Sequence, residues 1–355
     1  MQYHNALCNE IRDFSVKGAG EGDNKGEIKT LFIGGGTPSL YPLGPLRELF
    51  DILHKNFCLR NLKEATIEVN PGDVTTEHLE TWRSLGLNRL SIGVQILDED
   101  ILKSVNRHQK NSAVIELLQK APNYFDNISV DLILGLPGTT DKIWFDTLKF
   151  VTSHNIKHLS VYTLTIYEKT PLYFKICPKS PLYNKKISLP DEDWLVDTYE
   201  KTIKMLEERG FFQYETSNFS KQNYESIHNK AYWDRRPYKG FGLSAASFDG
   251  KNRLVNSGNL LKYLDYWLRS KGPTPVLEEE LSSEDVLLEE LMLGLRQKKG
   301  LDLRRMLYSL EREFPKFKEK IADLKEKGLV EEKDGFVFLS TRGMFLENEI
   351  VLNLL

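Results

Sequence analysis

An α/β fold built on a parallel sheet is what this sequence predicts, and two observations carry the prediction. Short apolar or β-branched runs alternate with amphipathic helical stretches through the first half of the 355 residues, the pattern of βα units. The residues that follow those runs are unusual. Gly-Gly-Gly-Thr-Pro-Ser follows the first, Asn-Pro-Gly the second, Gln95 the third and Gly-Leu-Pro-Gly the fourth. In parallel α/β architectures ligands bind at the carboxyl ends of strands, where loops approach them without disturbing the sheet.

The candidate strands are 29–33 (KTLFI), 65–69 (ATIEV), 89–94 (RLSIGV), 128–134 (ISVDLIL) and 158–164 (HLSVYTL). Each is nearly continuous in apolar or β-branched residues, as in a parallel sheet covered on both faces. Between them 45–57, 76–86 and 98–105 carry helical patterns, with Gly86 placed to close the second. The alternation fits a βα barrel or a doubly wound sheet. Residues 170–190, rich in Pro and Lys, read as a long connection, 192–210 as a helix, 211–248 as an aromatic-rich segment and Gly272-Pro273 as a break. Beyond the break come helices at 282–296, 302–313 and 316–327, a hairpin around Lys333-Asp334-Gly335 and a last helix. That succession resembles a winged helix. The expected domains are 1–170, 171–272 and 273–355.

Composition narrows the function. The formal net charge of −3 gives no global attraction to nucleic acid. From Pro275 to Leu355, 13 Lys and Arg face 18 Asp and Glu, a net of −5 and the wrong sign for phosphate. No apolar run approaches the ~20 residues that span a bilayer. The N-terminus lacks the basic-then-apolar pattern of a secretory signal, so a cytoplasmic protein is expected. Cys8, Cys58 and Cys177 are too scattered for a C-x-x-C pair or a disulfide framework. They read as isolated thiols in a reducing compartment.

Four segments carry candidate chemistry. Gly34 to Gly36 let backbone N–H groups approach a ligand closely, although a tight strand-to-helix turn at Pro38 accounts for them as well. The loop is neither a Walker loop nor G-x-G-x-x-G. Glu68 lies near the end of an apolar strand, where a carboxylate is costly unless paired or bound to a cationic or donor ligand. A salt bridge to a neighbouring strand is the plain alternative. Gln95 continues the third strand, and Asp131 interrupts the apolar run 128–136. Isolated polar residues in three buried strands point to convergence on one ligand.

The motifs occur in a fixed order: GGGTPS (34–39), ExNP (68–71), NRLSIGVQ (88–95), VNR (105–107), DLILGLPG (131–138) and VYTLTIYEKTP (161–171). They continue through YETSNF (214–219), HNKAYW (228–233), YKGFGLSAASF (238–248) and GLDL (300–303). This set, covering nearly the whole chain, resembles the radical S-adenosylmethionine (SAM) proteins of the oxygen-independent coproporphyrinogen III oxidase-like, heme chaperone (HemW) family. The resemblance implies a partial (βα)6 radical-SAM barrel, its first strand missing, with a helical, winged-helix-like C-terminal region. By motif match, Gly35, Gly36 and Thr37 meet the methionine part of SAM, and Glu68, Gln95, Arg107 and Asp131 complete its site. Backbone donors and Arg107 suit the SAM carboxylate, while carboxylates and amides suit its amino group and ribose diol. The HNxxYW motif assigns His228, Asn229, Tyr232 and Trp233 to the heme region of the chaperone branch. Imidazole suits heme iron and aromatic rings suit the porphyrin face. The structural alternative has Tyr232 and Trp233 capping the barrel with His228 satisfied by backbone. One departure is Gln109, where chaperone-type members often carry His two residues after the Arg.

Family members hold a [4Fe–4S] cluster through C-x-x-x-C-x-x-C, and this sequence contains no such motif. Two expectations follow: a sequence that begins inside a longer chain, with the cluster loop and first strand upstream, or a cluster-less relative. The unpaired apolar edge that the loss would leave on 29–33 favours the first. The expected function is a cytoplasmic heme chaperone that binds SAM and heme or porphyrin for delivery to hemoproteins, membrane hemoproteins among them. The alternative is an oxygen-independent coproporphyrinogen III oxidase of the coproporphyrinogen dehydrogenase type, in heme biosynthesis, which requires the cluster. A nucleic-acid partner is not expected.

Overall fold

The computed structural model describes residues 1–18, 27–184, 187–270 and 276–355. The expected break at Gly272-Pro273, with the domain boundary placed there, and Lys185-Lys186 of the long connection lie outside the described residues. The chain forms two compact units that interleave along the sequence. One comprises Met1–Phe32, Leu40–Ala65 and Ser226–Leu293; the other comprises Ile33–Ser39, Thr66–Glu225 and Gly294–Leu355.

The main sheet has seven strands: β1 (Thr30–Ile33), β2 (Glu64–Val69), β3 (Arg89–Gln95), β4 (Asn127–Leu134), β5 (His158–Thr163), β6 (Phe212–Gln213) and β7 (Asn218–Ser220). Their order is β1-β2-β3-β4-β5-β7-β6. From β1 to β5 each strand lies beside its predecessor in sequence, without the reversal of a doubly wound sheet, so the winding is of the barrel type. β2 to β5 pair in parallel, and β7 closes antiparallel onto β5.

The strand register divides the sheet into two unlike faces. Ile67, Val69, Leu90, Ile92, Val94, Ile128, Val130, Leu132, Leu159 and Val161 are all buried and share one face by the period of two. The helices between strands cover that face with their own buried side chains, among them Leu79 and Trp82 of Thr76–Ser84, Leu117 of Asn111–Lys120 and Trp144 of Asp141–Thr152. Trp144 Nε1 donates to Thr202 Oγ1 at 2.8 Å, which ties Asp141–Thr152 to the helix Glu192–Glu207. The opposite face is polar. Thr66 pairs with Arg89, Glu68 with Ser91, Gly93 with Asp131, Ser129 with His158, and Asp131 with Ser160. The runs that read as nearly continuous in apolar residues thus alternate in register, as strands do when they line a barrel interior.

In the first unit the helix Gln2–Gly18 packs on the helices Leu43–Asn56 and Leu260–Arg269. Its buried Glu10 carboxylate accepts from Gly242 N–H (2.9 Å), Asn256 Nδ2 (2.7 Å) and Tyr263 O–H (2.6 Å), so both oxygens are hydrogen-bonded. The strands β8 (Ala246–Phe248), β9 (Asn252–Asn256) and β10 (Val276–Glu280) form an antiparallel sheet beside it.

The C-terminal segment holds β11 (Leu301–Asp302), β12 (Val330–Lys333) and β13 (Phe336–Leu339) in the order β11-β13-β12. The β12–β13 hairpin turns on Asp334-Gly335, both at positive φ (+52° and +79°), the backbone of a type I′ turn. The helices Leu303–Glu313 and Phe317–Glu326 bury Leu310, Phe317, Ile321 and Leu324. Among the described residues no helix is long and apolar enough to cross a membrane.

Candidate functional site

The loop after β1 brings Gly35 and Gly36 to φ of +77° and +62°, and a Cβ added at either would meet no atom within 4 Å. The backbone conformation demands glycine there, while the space above it stays open. Gly35 N–H donates to Glu68 Oε2 at 3.2 Å. Ser39, at the end of the same loop, donates to Asp73 Oδ2 (3.0 Å) and accepts from Asn70 N–H (3.2 Å). Asn70 Nδ2 reaches the same Asp73 oxygen at 3.3 Å. The Asn-Pro turn after β2 is thereby stapled to the glycine loop. Thr37, in the glycine loop, is half-buried.

Glu68 and Asp131 occupy the polar face of β2 and β4. Burial raises the Glu68 carboxyl above its ordinary range, the Gly35 N–H opposes the shift, and the Asp131 charge adds to it. Burial also raises Asp131, against hydrogen bonds from Ser160 and Ser91 and the charge of Arg89. Ser91 Oγ donates to Asp131 Oδ2 at 3.0 Å. Two carboxylates with raised pKa on one face are poised for a cationic or donor-rich ligand.

Gln95 ends β3 with φ +65°, at a register shift between Gly93 and Gln95. Its buried amide folds back over the strand, so a Cβ on Gly93 would lie 2.9 Å from Gln95 Nε2. Gln109, the departure from the family pattern, donates through Nε2 to the Val94 carbonyl at 3.1 Å and braces the same strand end. Arg107 lies on the exposed turn after the helix Glu99–Ser104, beside Asn106 at φ +62°. Its backbone N–H bonds the Leu102 carbonyl at 2.9 Å. Its side chain is exposed and, among the described residues, makes no hydrogen bond or ion pair.

Below the carboxylates lies a polar floor that sequence reasoning missed. His158 is fully buried, with Nδ1 2.8 Å from Ser129 Oγ and Nε2 2.8 Å from Tyr214 Oη. Burial and the Arg89 charge hold its pKa well below the ordinary value, so the imidazole is neutral. Arg89, 2% exposed, reaches Thr66 Oγ1 at 3.5 Å. The period-two spacing of Arg89, Ser91 and Gly93, and of Ser129 and Asp131, was the available signal.

The second group of predicted residues lies in the first unit, on the helix Ile227–Trp233. Ser226 caps it by accepting from Asn229 N–H at 3.2 Å. The buried Glu64 carboxylate accepts from Ser226 Oγ (3.0 Å), Ile227 N–H (2.8 Å) and His228 N–H (3.1 Å), an anion seated at a helix N-terminus. His228 stacks on Phe32 with ring centroids 5.1 Å apart. Its Nδ1 lies 2.8 Å from Thr30 Oγ1 and its Nε2 2.9 Å from Tyr232 Oη. Tyr232, 40% exposed, stands edge-on to Tyr238, and Trp233 is half-buried. The backbone-satisfied alternative for His228 is corrected: side chains occupy both imidazole nitrogens.

The three cysteines are free thiols, and among the described residues no group of three thiolates comes together. The residues present therefore do not fit a [4Fe–4S] cluster.

Comparison with known proteins places these features in a family. The Radical SAM superfamily matches residues 15–151, and the HemN C-terminal domain matches residues 281–346. The heme chaperone HemW of Bacillus subtilis (strain 168) is 35% identical over 355 residues, which cover 98% of this chain and 90% of that one. This chain belongs to the HemW heme chaperone family. The HemW of Lactococcus lactis subsp. lactis (strain IL1403) is 31% identical, over 98% of this chain and 88% of its own. The solved structure of Escherichia coli HemN, a coproporphyrinogen III oxidase and radical SAM enzyme, superposes with a TM-score of 0.80 at 24% identity, covering 99% of this chain and 82% of that one. That likeness carries the fold: a radical-SAM-type α/β sheet with the HemN-like C-terminal region.

Proposed function

We propose that this protein handles heme or porphyrin as a chaperone, and that it binds SAM on the polar face of its parallel sheet. The SAM reading rests on one observation: Glu68, hydrogen-bonded to the Gly35 N–H, shares a polar face with Asp131, the two carried by β2 and β4 on either side of β3. Carboxylates there suit the amino group and ribose diol of SAM, and Gln95 adds an amide. Arg107 and the open backbone at Gly35, Gly36 and Thr37 suit the SAM carboxylate. SAM supplies a sulfonium, whose reductive cleavage in radical SAM proteins needs the cluster. The residues of this sequence bind and orient, and no radical step is assigned to them.

The heme reading rests on the HNKAYW helix. His228, Asn229, Tyr232 and Trp233 form its one polar-aromatic turn, and the exposed Tyr232 ring and the His228–Tyr232 pair offer a face and a ligand to a porphyrin. Iron coordination through His228 Nε2 requires that nitrogen to leave the Tyr232 hydroxyl. Hemin titration followed in the Soret band tests this. His228→Ala should weaken heme binding at least tenfold, while Tyr232→Phe, which frees Nε2 and keeps the ring, should not weaken it. A His228→Ala protein that binds heme as tightly as the parent removes His228 from the site.

A further inference from the structure

The helices Gln2–Gly18 and Leu43–Asn56 hold a side-chain group that neither the SAM nor the heme reading uses. His4 and Cys8 stand four residues apart on one helix and so project from one face. Glu48 comes from the other helix. Cys8 Sγ lies 3.5 Å from His4 Nε2, and His4 Nε2 lies 3.1 Å from Glu48 Oε2. All three ligand atoms fall within 4.8 Å of one another. We propose that His4, Cys8 and Glu48 form a mononuclear site for a zinc-class divalent cation.

The geometry argues for it. Zn–S of about 2.3 Å and Zn–N or Zn–O of about 2.0–2.2 Å at tetrahedral angles separate donor atoms by roughly 3.3–3.6 Å. The Sγ–Nε2 and Nε2–Oε2 separations sit at that spacing, within a few tenths of an ångström. The far side of the imidazole is already set, with Tyr41 Oη 2.6 Å from Nδ1. A phenol oxygen that accepts the Nδ1 proton leaves the Nε2 lone pair facing Cys8 and Glu48, the outer-shell arrangement of histidine metal ligands. His4 and Cys8 are buried (4% and 1% exposed), whereas Glu48 is exposed. Three protein donors with one open, water-facing position is the coordination of a reactive zinc site rather than a closed structural one. A thiolate, an imidazole and a carboxylate select zinc or cobalt over magnesium or calcium. The charged neighbour is Arg12, whose Nη2 lies 3.9 Å from Glu48 Oε1 and leaves Oε2 to the cation. Binding forms a metal–sulfur bond and releases the Cys8 thiol proton to solvent.

The test uses the whole chain, stripped with a chelator and titrated with Co²⁺ alone and then Zn²⁺. One equivalent of Co²⁺ should give a tetrahedral ligand-field spectrum with a thiolate charge-transfer band, and Zn²⁺ should displace it. The band should vanish in Cys8→Ser and persist in Cys58→Ser/Cys177→Ser. In Glu48→Gln, whose exposed side chain leaves the fold intact by circular dichroism, affinity should fall at least tenfold. No charge-transfer band in the parent, a band unchanged in Cys8→Ser, or parental affinity in Glu48→Gln would overturn the site and leave a hydrogen-bonded His–Cys–Glu cluster.

Discussion

Glu68, proposed as a SAM ligand, is held at a cost to the fold. Burial lifts its carboxyl above the ordinary range, and Asp131 lifts it further. A carboxyl raised on folding favours the protonated form in the native state, so its stabilising contribution is present below the unfolded value of about 4.3 and lost as pH rises through the folded value. At neutral pH the ionised group therefore lowers stability. Glu68→Gln should be at least as stable as the parent at pH 7–8 in thermal unfolding, and the advantage should shrink toward pH 4, where both side chains are neutral. A Glu68→Gln protein clearly less stable than the parent at pH 7–8 would mean that the carboxylate is a structural ion. Gly93 makes a related point without charge. Its missing Cβ leaves room for the Gln95 amide, so any larger residue at 93 would make that amide shift.

At the scale of elements, the helix Ile227–Trp233 has seven residues, too few to persist in water alone. The Glu64 carboxylate stabilises it by taking Ser226 Oγ and two backbone N–H groups of the first turn. Truncation to Ala strands those donors in a buried site. Glu64→Ala should cost about 3–5 kcal/mol in urea unfolding and weaken heme binding with it, whereas Glu64→Gln keeps one acceptor oxygen and should cost about half as much. A loss under about 1 kcal/mol for Glu64→Ala would show that the helix holds its place without this anchor. Glu64 begins β2, one residue before the run that reads as a strand, and nothing local marks it as a partner of residue 228. Its role is a contact between residues 162 to 164 apart.

For the whole molecule, the five leading strands were legible because each is a compact apolar or β-branched run, the first four closed by Gly, Asn or Gln. The C-terminal hairpin was legible from Asp334-Gly335. The second face of the sheet was not. Arg89, Ser129 and His158 look like strand-edge accidents until the register puts them on one face, because a single polar residue in an apolar run does not say which face it takes. Glu68 and Asp131 stood out in the sequence because a carboxylate in such a run is costly, whereas the serines that hold Asp131 did not. The two-unit division was equally hidden, since its first unit joins N-terminal segments to Ser226–Leu293 and is built by long-range contacts such as Glu10 with Tyr263. The central claim is that the polar face of the parallel sheet binds SAM through Glu68 and Asp131. Isothermal titration of SAM into the parent, Glu68→Gln and Asp131→Asn proteins tests it most directly. The account predicts one equivalent of SAM bound by the parent and at least tenfold weaker binding by each variant. Equal affinities in all three, or no binding by the parent, would contradict it.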